Sequence, residues 1–163
     1  MIDVKQLREE IITVALQKLG LYSDNALELL TLTCAQESRS GTYIKQVEGP
    51  ALGIFQMEPV THESLWQSFL SRRTDLAYKV LSSVYLSSKP PVEFLKYNLL
   101  YAAMIARCFY AKFNEPLPDA NDIPAIADYY KRNWNTDKGS ATVEEAIANY
   151  YIFIGAGKKN KIK

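Results

Sequence analysis

The sequence predicts a mainly α-helical, single-domain protein of about seven to eight helices, with at most a small β-hairpin within residues 39–57. Three observations carry this expectation. Apolar residues recur at helical spacing through most of the chain, and the one long stretch without that period is punctuated by Gly41, Gly49, Pro50 and Gly53. The 163 residues, 48% hydrophobic and 23% charged, suffice for one domain with a sizeable core and do not fit a disordered chain. There is no internal repeat, low-complexity segment or linker that would divide residues 1–163.

In chain order, Leu7, Ile11, Val14, Ala15, Leu16 and Leu19 mark a first helix from about Asp3, with Gly20 as its stop. Ser23, Asp24 or Asn25 caps a second, which Ala26, Leu27, Leu29, Leu30, Leu32, Thr33 and Ala35 carry to Glu37 almost without polar relief, the mark of a buried helix. Residues 39–57 form an irregular connection too apolar, through Ala51, Leu52, Ile54 and Phe55, to be disordered. Thr61 then reads as the N-cap of a short helix through Leu65, Trp66, Phe69 and Leu70, and Thr74 or Asp75 opens another through Val84. The longest helix is expected from Val92 to Phe113, with Leu95, Leu99, Ala102, Ala106, Phe109 and Phe113 on one apolar row and Tyr97, Tyr101, Met104 and Cys108 on a second. Asp122 with Pro124 starts a helix carrying Tyr129, Tyr130 and Trp134. After a polar turn over residues 135–141, Thr142 and Glu145 form a capping box for the last helix, and a basic tail, frayed over 157–163, ends the chain.

Composition excludes several function classes. A formal net charge of +1 supplies no field for nucleic acid or an anionic membrane, and no apolar run is long enough to span a bilayer. The N-terminus has acidic residues among its apolar ones and so does not read as a signal peptide, which implies synthesis in a cytoplasm. Cys34 and Cys108 lie inside apolar helical patterns and read as buried thiols, although spacing leaves a disulfide open. His62 is the only histidine, read as an ordinary exposed residue in the first turn of its helix; no metal site, nucleophile elbow or phosphate-binding loop accompanies it, and no cofactor is expected.

What remains is a site built on one carboxylate. Glu37 ends a core helix, where desolvation and the negative helix terminus both disfavour its charged form. A carboxylic acid kept protonated near neutral pH is what general acid catalysis requires. Glu48, Glu58 and Glu63 are the nearest other acids in sequence, and none has a context that marks it as a partner.

Glu37-Ser38, followed about sixteen positions on by Gly53-Ile54-Phe55-Gln56-Met57 and then by Pro59 and Thr61, resembles the paired signature of the soluble lytic transglycosylases, relatives of goose-type lysozyme. The resemblance covers roughly residues 24–134 and is most specific across 35–61. It implies a lysozyme-like helical fold that cleaves the β-1,4 bond between N-acetylmuramic acid and N-acetylglucosamine in a peptidoglycan glycan strand. Glu37 would be first acid and then base, and the muramic 6-hydroxyl the attacking group, giving a 1,6-anhydro product. Ser38 and the segment Gly53, Ile54, Phe55 and Gln56 would line the sugar cleft, although from the residues alone Ser38 reads first as the acceptor of a hydrogen bond in the turn. Further on, Ile126 to Tyr130 resembles a region in which Tyr129 would hydrogen-bond the catalytic glutamate and Tyr130, standing where the family has asparagine, would face substrate. Asn98-Leu99 resembles the start of another family pattern, with Ala102 in place of a glycine and Ile105 in place of a tyrosine. The whole arrangement is also similar to phage virion proteins that carry a wall-degrading domain, so other virion proteins are expected partners. The alternative is a virion structural or adaptor protein that keeps this fold with little activity. From the residues alone, Phe55 and Met57 read as packing groups, and Trp134 and Tyr43 as rim or core aromatics able to stack on a sugar face.

Overall fold

The computed structural model of the chain describes residues 1–136 and 139–159, the last four of these as backbone only. The described residues form eight helical runs and no strand, in a single compact unit around one main hydrophobic core. Of the basic tail, the backbone is helical as far as Lys159; residues 160–163 lie outside the described part, as do 137 and 138 of the polar turn.

Helix α1 (residues 4–19) is capped by Asp3, whose carboxylate accepts from the Gln6 amide at 3.1 Å, and contains a π-helical turn over Leu7–Ile12. It ends at Gly20, in the left-handed conformation, with Lys79 Nζ on its Leu19 carbonyl at 3.0 Å, a cation placed at the negative end of a helix. Helix α2 (Asp24–Ser38) starts at Ser23, whose hydroxyl accepts from the Ala26 amide, and every residue from Leu29 to Ala35 is buried. Two threonines in that run are satisfied internally: Thr31 donates to the Leu27 carbonyl and Thr33 to that of Leu29. A near-continuous apolar helix must be surrounded, and this one packs against α1 and three later helices.

Helix α3 (residues 59–70) begins three residues earlier than an N-cap at Thr61 would place it, because Pro59 has the helical φ built in and takes the first-turn position, where a missing N–H costs nothing. Helix α4 spans Thr74–Ser83. The helix expected from Val92 to Phe113 is in fact two, α5 (Phe94–Tyr97) and α6 (Leu99–Ala111). The break is Asn98, extended at φ −127° and ψ 103°, whose side-chain oxygen accepts from the Tyr101 amide at 2.9 Å. An asparagine offered that bond leaves the helix and caps the next one. Upstream of the break, Tyr97 is 71% exposed and does not join the apolar row expected of it. Helix α7 (residues 123–135) starts at Asp122, which accepts from the Ala125 amide, and finishes in a π-helical turn. Helix α8 (Val143–Lys159) carries the capping box: Glu145 N–H donates to Thr142 Oγ1 at 3.1 Å and Thr142 N–H to Glu145 Oε2 at 2.9 Å.

Polar anchors fix α2 among its neighbours. Arg8 of α1 grips Glu28 through two bonds of 2.6 and 2.7 Å, and the Tyr150 hydroxyl of α8 donates to the same carboxylate at 2.6 Å. Near the other end, Asn149 donates to Gln36 at 2.8 Å, and Thr33 shares a hydrogen bond of 2.8 Å with Tyr110 of α6. The end of α2 is therefore held from two sides. In the 39–57 connection the expected hairpin reduces to two isolated antiparallel bridges, Lys45 with Leu52 and Leu52 with Met57. Cys34 and Cys108 are both buried free thiols, pushed up to about 12 by burial and so inert as nucleophiles.

Candidate active site

Because α2 is buried along its length, its last turn delivers Glu37 from the core to the wall of an open groove of about 1000 Å³. The chain then reverses abruptly. Arg39, Ser40 and Gly41 all have positive φ, a conformation that disfavours side-chain-bearing residues, and Ser38 makes the reversal possible. Its buried hydroxyl accepts from the Gly41 amide at 2.8 Å and donates to the Cys34 carbonyl at 3.2 Å. Ser38 thus does not take the cleft-lining place that the resemblance implied; it accepts the hydrogen bond in the turn that its residue type suggested and locks the turn that aims Glu37.

The returning segment behaves in the same way. Ile54 and Phe55 are buried, and Gly53 is packed against α5, so these three lie behind the groove and do not line it. Gly53 is required for two reasons. Its φ is +76°, and a Cβ there would stand 2.6 Å from the Leu95 carbonyl oxygen. Phe55 supports Trp134 from beneath, with ring centroids 6.5 Å apart. Gln56 does reach the groove, at a strained φ of +47°, with its amide Nε2 donating to the Gly53 carbonyl at 2.8 Å.

Across from this segment, α7 brings up Tyr130, whose hydroxyl donates to Glu37 Oε1 at 2.5 Å. The residue expected in that role was Tyr129, and the difference of one position follows from helix geometry. Successive residues on a helix point about 100° apart, so only one of two adjacent tyrosines can face α2. Tyr129 instead packs its ring on Tyr110, beneath the Arg132 guanidinium, and its buried hydroxyl has no partner among the described residues.

The environment of Glu37 sets its chemistry. Burial raises its pKa to about 7, against a smaller opposing pull from the Tyr130 hydroxyl, which favours the carboxylate. Burial and the facing carboxylate hold the Tyr130 phenol well above the ordinary tyrosine range, so it stays a donor. At neutral pH the acid and carboxylate forms of Glu37 are comparably populated, which suits a group that must first give a proton and then take one.

Elsewhere the groove is walled by α3, through Thr61, Ser64, Leu65 and Ser68, and by the π-helical end of α7, through Asn133, Trp134 and Asn135. A π-helical turn also occupies the α3 wall at Leu65–Leu70. Such turns widen a helix locally and are frequent at functional sites. Thr61, Ser64 and Ser68 form a polar stripe at helical spacing, a signal present in the sequence; Lys112 and Asn133, also on the wall, had no such signal. Trp134 packs its ring against Phe109 and Tyr110, with centroids 4.8 and 5.2 Å away, and still lines the groove. Among the described residues Glu58 is the other acid on the wall, and it is exposed.

His62 is not the exposed histidine its position suggests. It is 1% exposed on the inner face of α3, with Nε2 2.7 Å from the Tyr101 hydroxyl; that hydroxyl accepts from Trp66 Nε1 at 3.1 Å. Among the described residues no group of three or more metal-ligating side chains is assembled, and no helix is long and apolar enough to cross a membrane. Comparison of the chain with protein-family models, curated proteins and solved structures finds no match.

Proposed function

We propose that this chain cleaves the glycan strand of peptidoglycan at the β-1,4 bond following N-acetylmuramic acid, as a lytic transglycosylase or muramidase with Glu37 as its single acid and base. The observation that carries the reading is a carboxylic acid of pKa about 7, delivered by a buried helix to an open groove and held there by a tyrosine hydroxyl. In this mechanism the Glu37 proton goes to the glycosidic oxygen as the bond to the anomeric carbon breaks. The Tyr130 O–H then stabilises the carboxylate left behind. Glu37 next takes a proton from the attacking hydroxyl, either the muramic 6-hydroxyl of the same sugar, which closes a 1,6-anhydro ring, or a water. With only one buried, pKa-shifted carboxylate among the described residues of the groove wall, attack by the substrate's own hydroxyl accounts for the chemistry most simply. A phage virion location, with delivery through the cell wall, belongs to the same proposal and rests on the resemblance alone.

A second reading has one observation in its favour. Four of the residues that carry the resemblance, Ser38, Gly53, Ile54 and Phe55, serve turns and packing, which a virion structural or adaptor protein would retain without activity. Purified peptidoglycan treated with wild type and with Glu37→Gln separates the two. Loss of turbidity with wild type alone supports the enzyme, and the masses of the released muropeptides then distinguish anhydro from hydrolysed ends. Clearing by both proteins removes Glu37 from the role, and clearing by neither favours the structural protein.

A further inference from the structure

The formal charges on the described groove wall are few: Glu37, Glu58, Lys112 and Arg132. Arg132 is committed, with Asp128 at 2.8 Å and Glu115 at 3.1 Å on its guanidinium. Lys112 has no carboxylate within ion-pair distance among the described residues. Its ammonium is instead held over the Phe109 ring, 3.8 Å from the centroid, and 5.0 Å from that of Phe113, both of which also line the groove. Lys112 is exposed to the groove, and the two rings beneath its ammonium shield one side of it from water, a partial desolvation that lowers its pKa. Such a group gains most from an anion that approaches from the open side.

Resting on the reading of the groove as a glycan cleft, we infer that Lys112 makes it selective for acid-bearing glycans, by pairing with a carboxylate on the side branch of a bound sugar. Uncharged polymers of N-acetylglucosamine offer no such group. Two sources of the carboxylate exist on a muramic strand: the stem peptide, where it is attached, or the lactyl group, where the peptide has been removed.

The test is direct binding, followed by tryptophan fluorescence, in a Glu37→Gln background so that no turnover intervenes. The ligands are peptide-bearing glycan strands, the same strands stripped by an amidase, and a chito-oligosaccharide of matched length. Adding Lys112→Gln should weaken one or both of the acid-bearing ligands about tenfold and flatten their salt dependence, while leaving the neutral oligosaccharide unchanged. Lys112→Arg should restore the affinity. Loss for peptide-bearing strands alone assigns the stem carboxylate, and loss for stripped strands alone assigns the lactyl one. Equal binding of all three ligands with and without Lys112 overturns the inference and leaves the glycan reading standing. Failure of the parent to bind any of the three overturns both.

Discussion

The hydroxyl of Tyr130 lies 2.5 Å from Glu37 Oε1, joining the middle of α7 to the last turn of α2 across the head of the groove. Because the phenol donates to a carboxylate, it favours the charged form of Glu37 and offsets part of the upward push of burial. Tyr130→Phe should therefore raise the Glu37 pKa above its value of about 7 and move the acid-to-base transition in the pH–rate profile upward. A hydrogen bond to a charged group is worth roughly 1.5–3 kcal/mol, so turnover at neutral pH should fall about 10- to 100-fold. An unshifted pH profile would mean that the tyrosine only packs.

Its neighbour supplies the contrast. The Tyr129 hydroxyl is buried without a partner among the described residues, so Tyr129→Phe removes a desolvated polar group and no bond. The expected result is unchanged activity and a urea midpoint equal to or above that of wild type. Reversal of the two phenotypes, with Tyr129→Phe the damaging change, would show that the adjacent ring is the one that serves Glu37.

Gly53 offers a test of the scaffold behind the groove. Alanine there must adopt a φ near +76° and place its Cβ 2.6 Å from the Leu95 backbone oxygen. The left-handed backbone costs about 1–2 kcal/mol and the forced overlap about 1–3 kcal/mol more, so Gly53→Ala should lower stability by roughly 2–5 kcal/mol in urea denaturation. A wild-type midpoint would mean that the segment moves freely away from α5, and that glycine is not needed for close packing there.

The helical class, the buried α2 and the placement of Glu37 were legible because they depend on local signals: a 3.6-residue apolar period, a Ser23 cap, and an irregular segment following at once. The break at Asn98 was equally local but hidden, since an asparagine inside two strong apolar rows reads as a tolerated polar residue until its capping bond to Tyr101 is seen. The choice between Tyr129 and Tyr130 was not legible at all. Both lie on an apolar helix, and which one meets Glu37 depends on the rotation of α7 about its own axis, a property of tertiary packing. The burial of His62 was illegible for the same reason: it comes with tertiary packing against Tyr101, far away in sequence. The segment from Gly53 to Phe55 was found as a conspicuous stretch, but its residue types alone do not distinguish lining a groove from supporting one.

Glu37 and His62 titrate in the same window with opposite effects on stability. The Glu37 pKa is raised from 4.5 to about 7 on folding. The unfolded chain therefore releases that proton first, and the native state loses up to about 3 kcal/mol as pH rises from 4.5 through 7. Burial lowers the His62 pKa from 6.5 to about 4, so the unfolded chain binds that proton first, and the native state loses up to about 3 kcal/mol as pH falls from 6.5 through 4. Asp75, Glu63 and Glu115 have lowered pKa values from surface ion pairs and hydrogen bonds and act mainly below this window. The two buried groups thus offset each other, and wild-type stability should be nearly flat between pH 4.5 and 6.5. Removing either one exposes the other. Glu37→Gln should be more stable than wild type at pH 8 and should lose that stability steeply on acidification. His62→Gln should start lower, because its contact with Tyr101 is altered, and gain stability as pH falls from 7 to 4.5. Urea midpoints of the three proteins across pH 4 to 8 measure both slopes. Parallel curves for all three would show that neither side chain is desolvated as its surroundings require, and for Glu37 they would also remove the basis for its acid role.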